Sequence, residues 1–109
     1  MSLPETDWKQ LTRLKPLALE RLCLRILEDA QALIAATGEG DSHRVYLALF
    51  NHIQERDRLI ADGFDNWSRS HAIDHLVVWR GHHLVTDEEF AAFSAETRAA
   101  VEFWLSGPP

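Results

Sequence analysis

This chain is short of the residues that cross-link or break a polypeptide. Its one cysteine, Cys23, can close no disulfide within the chain. Its four prolines, Pro4, Pro16, Pro108 and Pro109, lie near the ends. Between Pro16 and Pro108 only glycine weakens a helix, and the glycines fall where segments join. No uninterrupted apolar run nears the ~20 residues of a membrane-spanning helix. No positively charged, apolar leader opens the sequence, so a cytoplasmic location is expected. Basic residues are fewer than acidic ones, 11 against 17, for a formal net charge of −6. The two signs are interleaved, which excludes the concentrated basic face of a nucleic-acid binder. Standard catalytic motifs are missing as well. "TGEGDS" has neither the lysine nor the preceding strand of a phosphate loop, and no serine sits at a strand-to-helix elbow.

What is present is the composition of an ordinary globular protein, 46% hydrophobic and 26% charged. With 109 residues the chain is expected to be one domain, residues 1–109. Its periodicity is helical throughout. "PETDWKQLTRL" spaces Trp8, Leu11 and Leu14 three apart, as in a short N-terminal helix, and Pro16 suits the first turn of a new one. From Pro16 to about Thr37, Leu19, Leu22, Cys23, Ile26, Leu27, Ala30, Leu33 and Ile34 fall on one arc at about 100° per residue. Gly38 is placed to cap that helix, and Asp41 or Ser42 to cap the next.

The second long helix is expected over His43–Asp62, with Val45, Tyr46, Leu49, Phe50, Ile53, Ile60 and then Phe64 on its apolar arc. Arg56 and Asp57 interrupt that arc, reaching either the rim of the core or a buried pair such as Asp57 with Arg80. Carried onward in the same frame, Ile73, Leu76 and Val77 fall about half a turn away. A turn is therefore expected at Gly63 to Asn66. Thr86 with Glu89 forms a capping box, and Ser94 can cap a fresh helix at Ala95, so residues 87–105 make one helix or two. The fold class that follows is all-α: an up-and-down bundle of about four main helices with a short N-terminal helix. Leu22, Ile26, Leu33, Leu49, Ile53, Ile60, Leu76, Phe93 and Trp104 are its expected core.

"RSHAIDHLVVWRGHH" holds four of the six histidines. With His71 set at zero, His75 falls at about 40° and His82 at about 20° on a helix, away from Ile73, Leu76 and Val77. The three are expected as a solvent-facing stripe. His71 and His75, at i and i+4, can share a metal ion. However, Ala72 stands where a zinc-protease helix carries glutamate, and His82 lies about 10 Å further along the axis. His52 and Glu55 run in the reverse order to a di-iron ExxH pair. Cys23, on a core stripe, reads as a small hydrophobe.

Tryptophan is abundant. Trp104 is expected in the core, Trp79 at its rim, and Trp8 and Trp67 in a groove or subunit interface. Leu17, Leu24, Ala35 and Leu47 lie outside the main arcs, more apolar surface than one small bundle hides. The expected function is a non-enzymatic protein–protein interaction module, a homodimer or a binder of another protein, with Trp8, Trp67, His71, His75 and His82 at its interface. No cofactor, nucleic acid or membrane is implied. Two alternatives stand beside it: a metal-binding protein or metal-dependent enzyme using His71 and His75, and a binder of small ligands in an aromatic pocket.

Overall fold

The computed structural model describes residues 3–107. Among these residues the chain is all-α, with five α-helices, one 3-10 turn and no strand. Helix α1 spans Glu5–Ala35, α2 Ser42–Phe64, α3 Ala72–Gly81, α4 Asp87–Ala91 and α5 Ala95–Ser106, and the 3-10 turn Arg69–His71 precedes α3. Helices α1 and α2 form a long hairpin. Helix α3 packs on α1, α2 and α5 at one end of it. The molecule is accordingly elongated, 55 × 31 × 25 Å.

The short N-terminal helix does not exist as a separate element. Helix α1 runs through Pro16, which is exposed in its interior. An interior proline loses one backbone hydrogen bond and crowds the preceding turn, at a cost of about 3 kcal/mol. What offsets that cost is a single buried stripe on both sides of it: Asp7, Leu11 and Leu14 before, Ala18, Leu22, Ile26 and Ala30 after. All but Asp7 and Ala30 belong to one core cluster.

In the α1–α2 connection it is Gly40, at φ +82°, that takes the left-handed conformation, not Gly38. Asp41 precedes α2 without a side-chain cap and pairs with Arg44 at 3.0 Å. Helix α2 ends at Phe64, and Asn66 turns the chain at φ 55°. This is the break that the change of helical phase requires. The Thr86–Glu89 capping box is formed, and Ser94 caps α5, so residues 87–106 hold two helices.

The core sits at the α3 end. Leu11, Leu14, Leu22, Leu76, Trp79, Leu84, Phe90, Phe93 and Val101 are buried there. Of the expected core, Leu22, Ile26, Leu76 and Phe93 are buried, and Leu33, Leu49 and Ile60 are half-buried. Ile53 and Trp104 are not core residues; they are 44% and 64% exposed. Past the reach of α3 the hairpin stands alone, which leaves Ile53 uncovered. On α5 the inward line is Thr97 and Val101, and it passes beside Trp104.

Candidate functional site

The histidine stretch does not form a solvent-facing stripe. Helix α3 packs against three helices, so the side opposite Leu76 is covered too. His75 is 3% exposed, while His71 in the 3-10 turn and His82 just after α3 are exposed. Neither ring nitrogen of His75 has a hydrogen-bond partner among the described residues. Its ring stacks on Trp67 at 5.3 Å between centroids and lies 6.5 Å from the His71 ring. His71 Nδ1 and the Ser68 hydroxyl are 2.7 Å apart. Two imidazoles fall short of the three or four protein ligands of a zinc site. Among the described residues no group of three potential ligands forms around them or elsewhere.

Trp8, Trp67 and Trp79 pack on one another and on the core, whereas Trp104 is exposed. Trp67 is half-buried and central: its ring lies 5.4 Å from Trp8 and 5.9 Å from Trp79, and the Lys15 ammonium sits 4.3 Å above it. Trp79 is fully buried instead of lying at the rim, and its Nε1 donates to the Gly63 carbonyl at 2.9 Å. Trp8, Trp67, His71 and His75 are thus brought together, and His82 stands apart at the rim of a cleft.

Two polar ties fasten the α4–α5 segment to α1, and neither is legible as a motif. Asp7 is buried; it accepts hydrogen bonds from the Ser94 amide and from the Ser94 and Thr97 hydroxyls. Burial pushes its carboxyl up, but those three donors together hold it below its ordinary value. Arg21 grips Glu89 through both guanidinium nitrogens, at 2.7 and 3.0 Å, and donates to the Leu84 carbonyl. That bidentate contact lowers the Glu89 carboxyl to about 2 and raises Arg21. Arg80 pairs with Asp87 at 2.8 Å and not with Asp57, which is exposed. Asp7 carried one available signal: counted at helical spacing, it shares the stripe of Leu11, Leu14 and Ala18.

The exposed end of the hairpin is the unusual surface. Leu27 and Ile34 of α1 are 64% and 57% exposed, and Tyr46, Phe50 and Ile53 of α2 are 60%, 49% and 44% exposed. Helix α2 meets α1 through Val45, His52, Arg56 and Leu59, all half-buried, and His52 Nε2 lies 3.3 Å from the Ile26 carbonyl. Beside this seam run adjoining clefts of about 180 and 330 Å³. Their walls are Arg25, Asp29, Ala32, Ala36, His52, Arg56 and His82 over Leu22, Ile26, Leu33 and Leu59, with no Trp, Phe or Tyr among them. An aromatic ligand pocket is therefore not what these clefts provide.

At about 100° per residue, Leu27 and Ile34 lie round α1 on the flank away from the clefts, and Tyr46, Phe50 and Ile53 do so on α2. In an antiparallel pair these two flanks face the same way. The five side chains consequently share one side of the hairpin, opposite the clefts. The Tyr46 and Phe50 rings stack at 6.4 Å.

No family model matches the chain, and neither a curated protein nor a solved structure matches it. Apart from the Tyr46 hydroxyl, the large exposed side chains of this surface are apolar, the make-up of a surface that excludes water against a partner.

Proposed function

We propose that this protein is a non-enzymatic protein–protein interaction module that works as a homodimer. One observation carries the reading: Leu27, Ile34, Tyr46, Phe50 and Ile53 are each at least 44% exposed and lie on one side of one hairpin. Isolated exposed apolar residues are normal, but a contiguous set of large ones on a regular surface marks an interaction site. Covering this set with a second hairpin would complete an up-and-down four-helix bundle, built from two chains rather than folded within one.

The residues that the sequence pattern assigns to the interface fit it less well. Trp8, Trp67 and His75 are engaged in core contacts, which leaves His71 and His82 as the exposed members. The proposal includes a cytoplasmic setting and a protein partner in place of nucleic acid or membrane. No helix among the described residues is long and apolar enough to cross a membrane. Neither alternative, the metal reading nor the aromatic-pocket reading, has an observation of its own.

The test is the mass of the untagged protein in solution, by sedimentation equilibrium over a range of micromolar concentrations. Twice the chain mass of 12.5 kDa is expected. A species that stays at one chain mass throughout overturns the homodimer.

A further inference from the structure

We propose that the seam between α1 and α2 binds a small monocarboxylic acid, its carboxylate on the Arg56 guanidinium and its hydrocarbon tail beside Leu33. The site lies on the side opposite Leu27 and Phe50, so it stands whether or not the chain dimerises.

Arg56 is half-buried and borders both clefts from the middle of the seam. Among the described residues, Arg21, Arg44, Arg69 and Arg80 each hold a carboxylate at 3.0 Å or less. Arg13, Arg25 and Arg98 donate hydrogen bonds to other oxygens. Arg56 and Arg58 do neither, and only Arg58 is fully in water. A guanidinium pairs best with a carboxylate, through two parallel hydrogen bonds. Partly withdrawn from water, Arg56 lacks the partner that its chemistry favours.

The rest of the lining decides which anion fits. Asp29 is the one carboxylate on the walls of the two clefts, and it pairs with neither Arg25 nor Arg56. Arg25, four residues before it on α1, is drawn instead to the His82 and His83 carbonyls. Counted with histidine neutral, the walls carry two guanidiniums against one carboxylate, in a chain of formal net charge −6. A ligand with one negative charge is attracted to them. Asp29 opposes a second, which disfavours a phosphate dianion or a dicarboxylate.

Hydrocarbon takes the remaining space. Towards the hairpin tip from Arg56, the larger cleft, about 330 Å³, is walled by Ala32, Leu33 and Ala36. Ligand sites begin at roughly 300 Å³. The seven residues from Asp29 to Ala36 advance about 10 Å along α1, room for an alkyl chain of medium length. A seam running between two helices suits a linear tail.

Octanoate is the probe, followed through the amide chemical shifts of the whole labelled chain. Saturable shifts of residues 29–36 and 52–56 are expected, half-complete on the order of 1 mM. Hexanoate, shorter by two methylenes, is expected to bind about four- to fifteen-fold more weakly. Arg56→Gln should weaken octanoate about ten-fold, Arg56→Lys less because it keeps the charge and loses only the fork, and Arg58→Gln not at all. Ala32→Phe, at an exposed position of the wall, should block the tail and keep every charge. Helical circular dichroism shows that each variant is folded. Shifts confined to Tyr46 and Phe50 would overturn the site, as would an Arg56→Gln variant that binds like wild type. Octanol or octylamine binding as tightly as octanoate overturns the carboxylate, and inorganic phosphate binding as tightly overturns the tail. No saturation by about 10 mM octanoate overturns the whole proposal.

Discussion

Asp7, in the first turn of α1, caps the N-terminus of α5 from 87 residues away: Ser94 donates to it with its amide at 3.0 Å and its hydroxyl at 2.6 Å. The first amides of a helix have no partner within it, and the helix dipole favours a negative charge at that end. A carboxylate supplied by a distant helix answers both needs, and it fixes where α5 docks.

Removing that carboxylate therefore has a cost well above that of a surface change. Asp7→Ala leaves the buried Thr97 hydroxyl and the Ser94 amide without their acceptor, and is expected to lower unfolding stability by about 2–4 kcal/mol. Asp7→Asn keeps one acceptor oxygen and is expected to lose less. Urea unfolding of both variants checks the order. Equal and small losses would mean that α5 is held by Phe93 and Val101 alone.

The two low-lying carboxylates set the response to acid. Asp7 is held below its ordinary value, and Glu89 is held at about 2 by Arg21. Folded values below unfolded ones contribute stability that is fully present above the unfolded carboxylate range. That stability fades as pH falls through about 4 and is gone below about 2. Glu89 contributes on the order of 1–2 kcal/mol after allowance for partial exposure. Thermal melting at stepped pH between 7 and 2 should show the loss, and Glu89→Gln should flatten it. A wild-type midpoint independent of pH in that range would contradict the assignment.

Trp79 and Trp104 make a controlled pair. Gly63 belongs to the last turn of α2, where carbonyls lack helical partners, and Trp79 Nε1 satisfies this one from a fully buried position. Trp79→Phe strands that carbonyl and opens a void, so a loss of about 2–3 kcal/mol is expected. Trp104→Phe, at an exposed site, should stay within about half a kcal/mol. Chemical denaturation of the two variants makes the comparison. Equal effects would remove the distinction between buried and exposed tryptophan.

Local signals were legible in the sequence, and distant ones were not. The turn after Gly63, the Thr86–Glu89 capping box and the Ser94 cap depend on residues within a few positions of one another, and each is where the pattern puts it. Pro16 misled because its local cost is outweighed by Leu11, Leu14, Ala18 and Leu22 packing into one core on both sides of it. His75 and Trp79 depart from their helical pattern because periodicity implies one buried face, whereas α3 is packed from three directions. Ile53 has the spacing of a core residue, and spacing alone does not reveal that the hairpin outruns the helices that would cover it. The candidate surface was legible only as an excess of apolar residues without a place.

His75 gives the sharpest stability test, because its substitution is expected to help. Both ring nitrogens lack a partner among the described residues, in a side chain 3% exposed and stacked on Trp67. A buried polar group without a hydrogen bond opposes folding by about 1–3 kcal/mol, and an apolar group of similar size removes that penalty. His75→Leu keeps apolar bulk between Trp67 and the core, losing the ring stack, which is worth about 1 kcal/mol at most. The balance favours the variant, with an expected gain of up to about 1 kcal/mol in urea unfolding at pH 7. The same substitution should leave the oligomeric state unchanged, since residue 75 lies inside the α3 end and far from Phe50. A loss of 2 kcal/mol or more would show that the imidazole nitrogens are satisfied in solution.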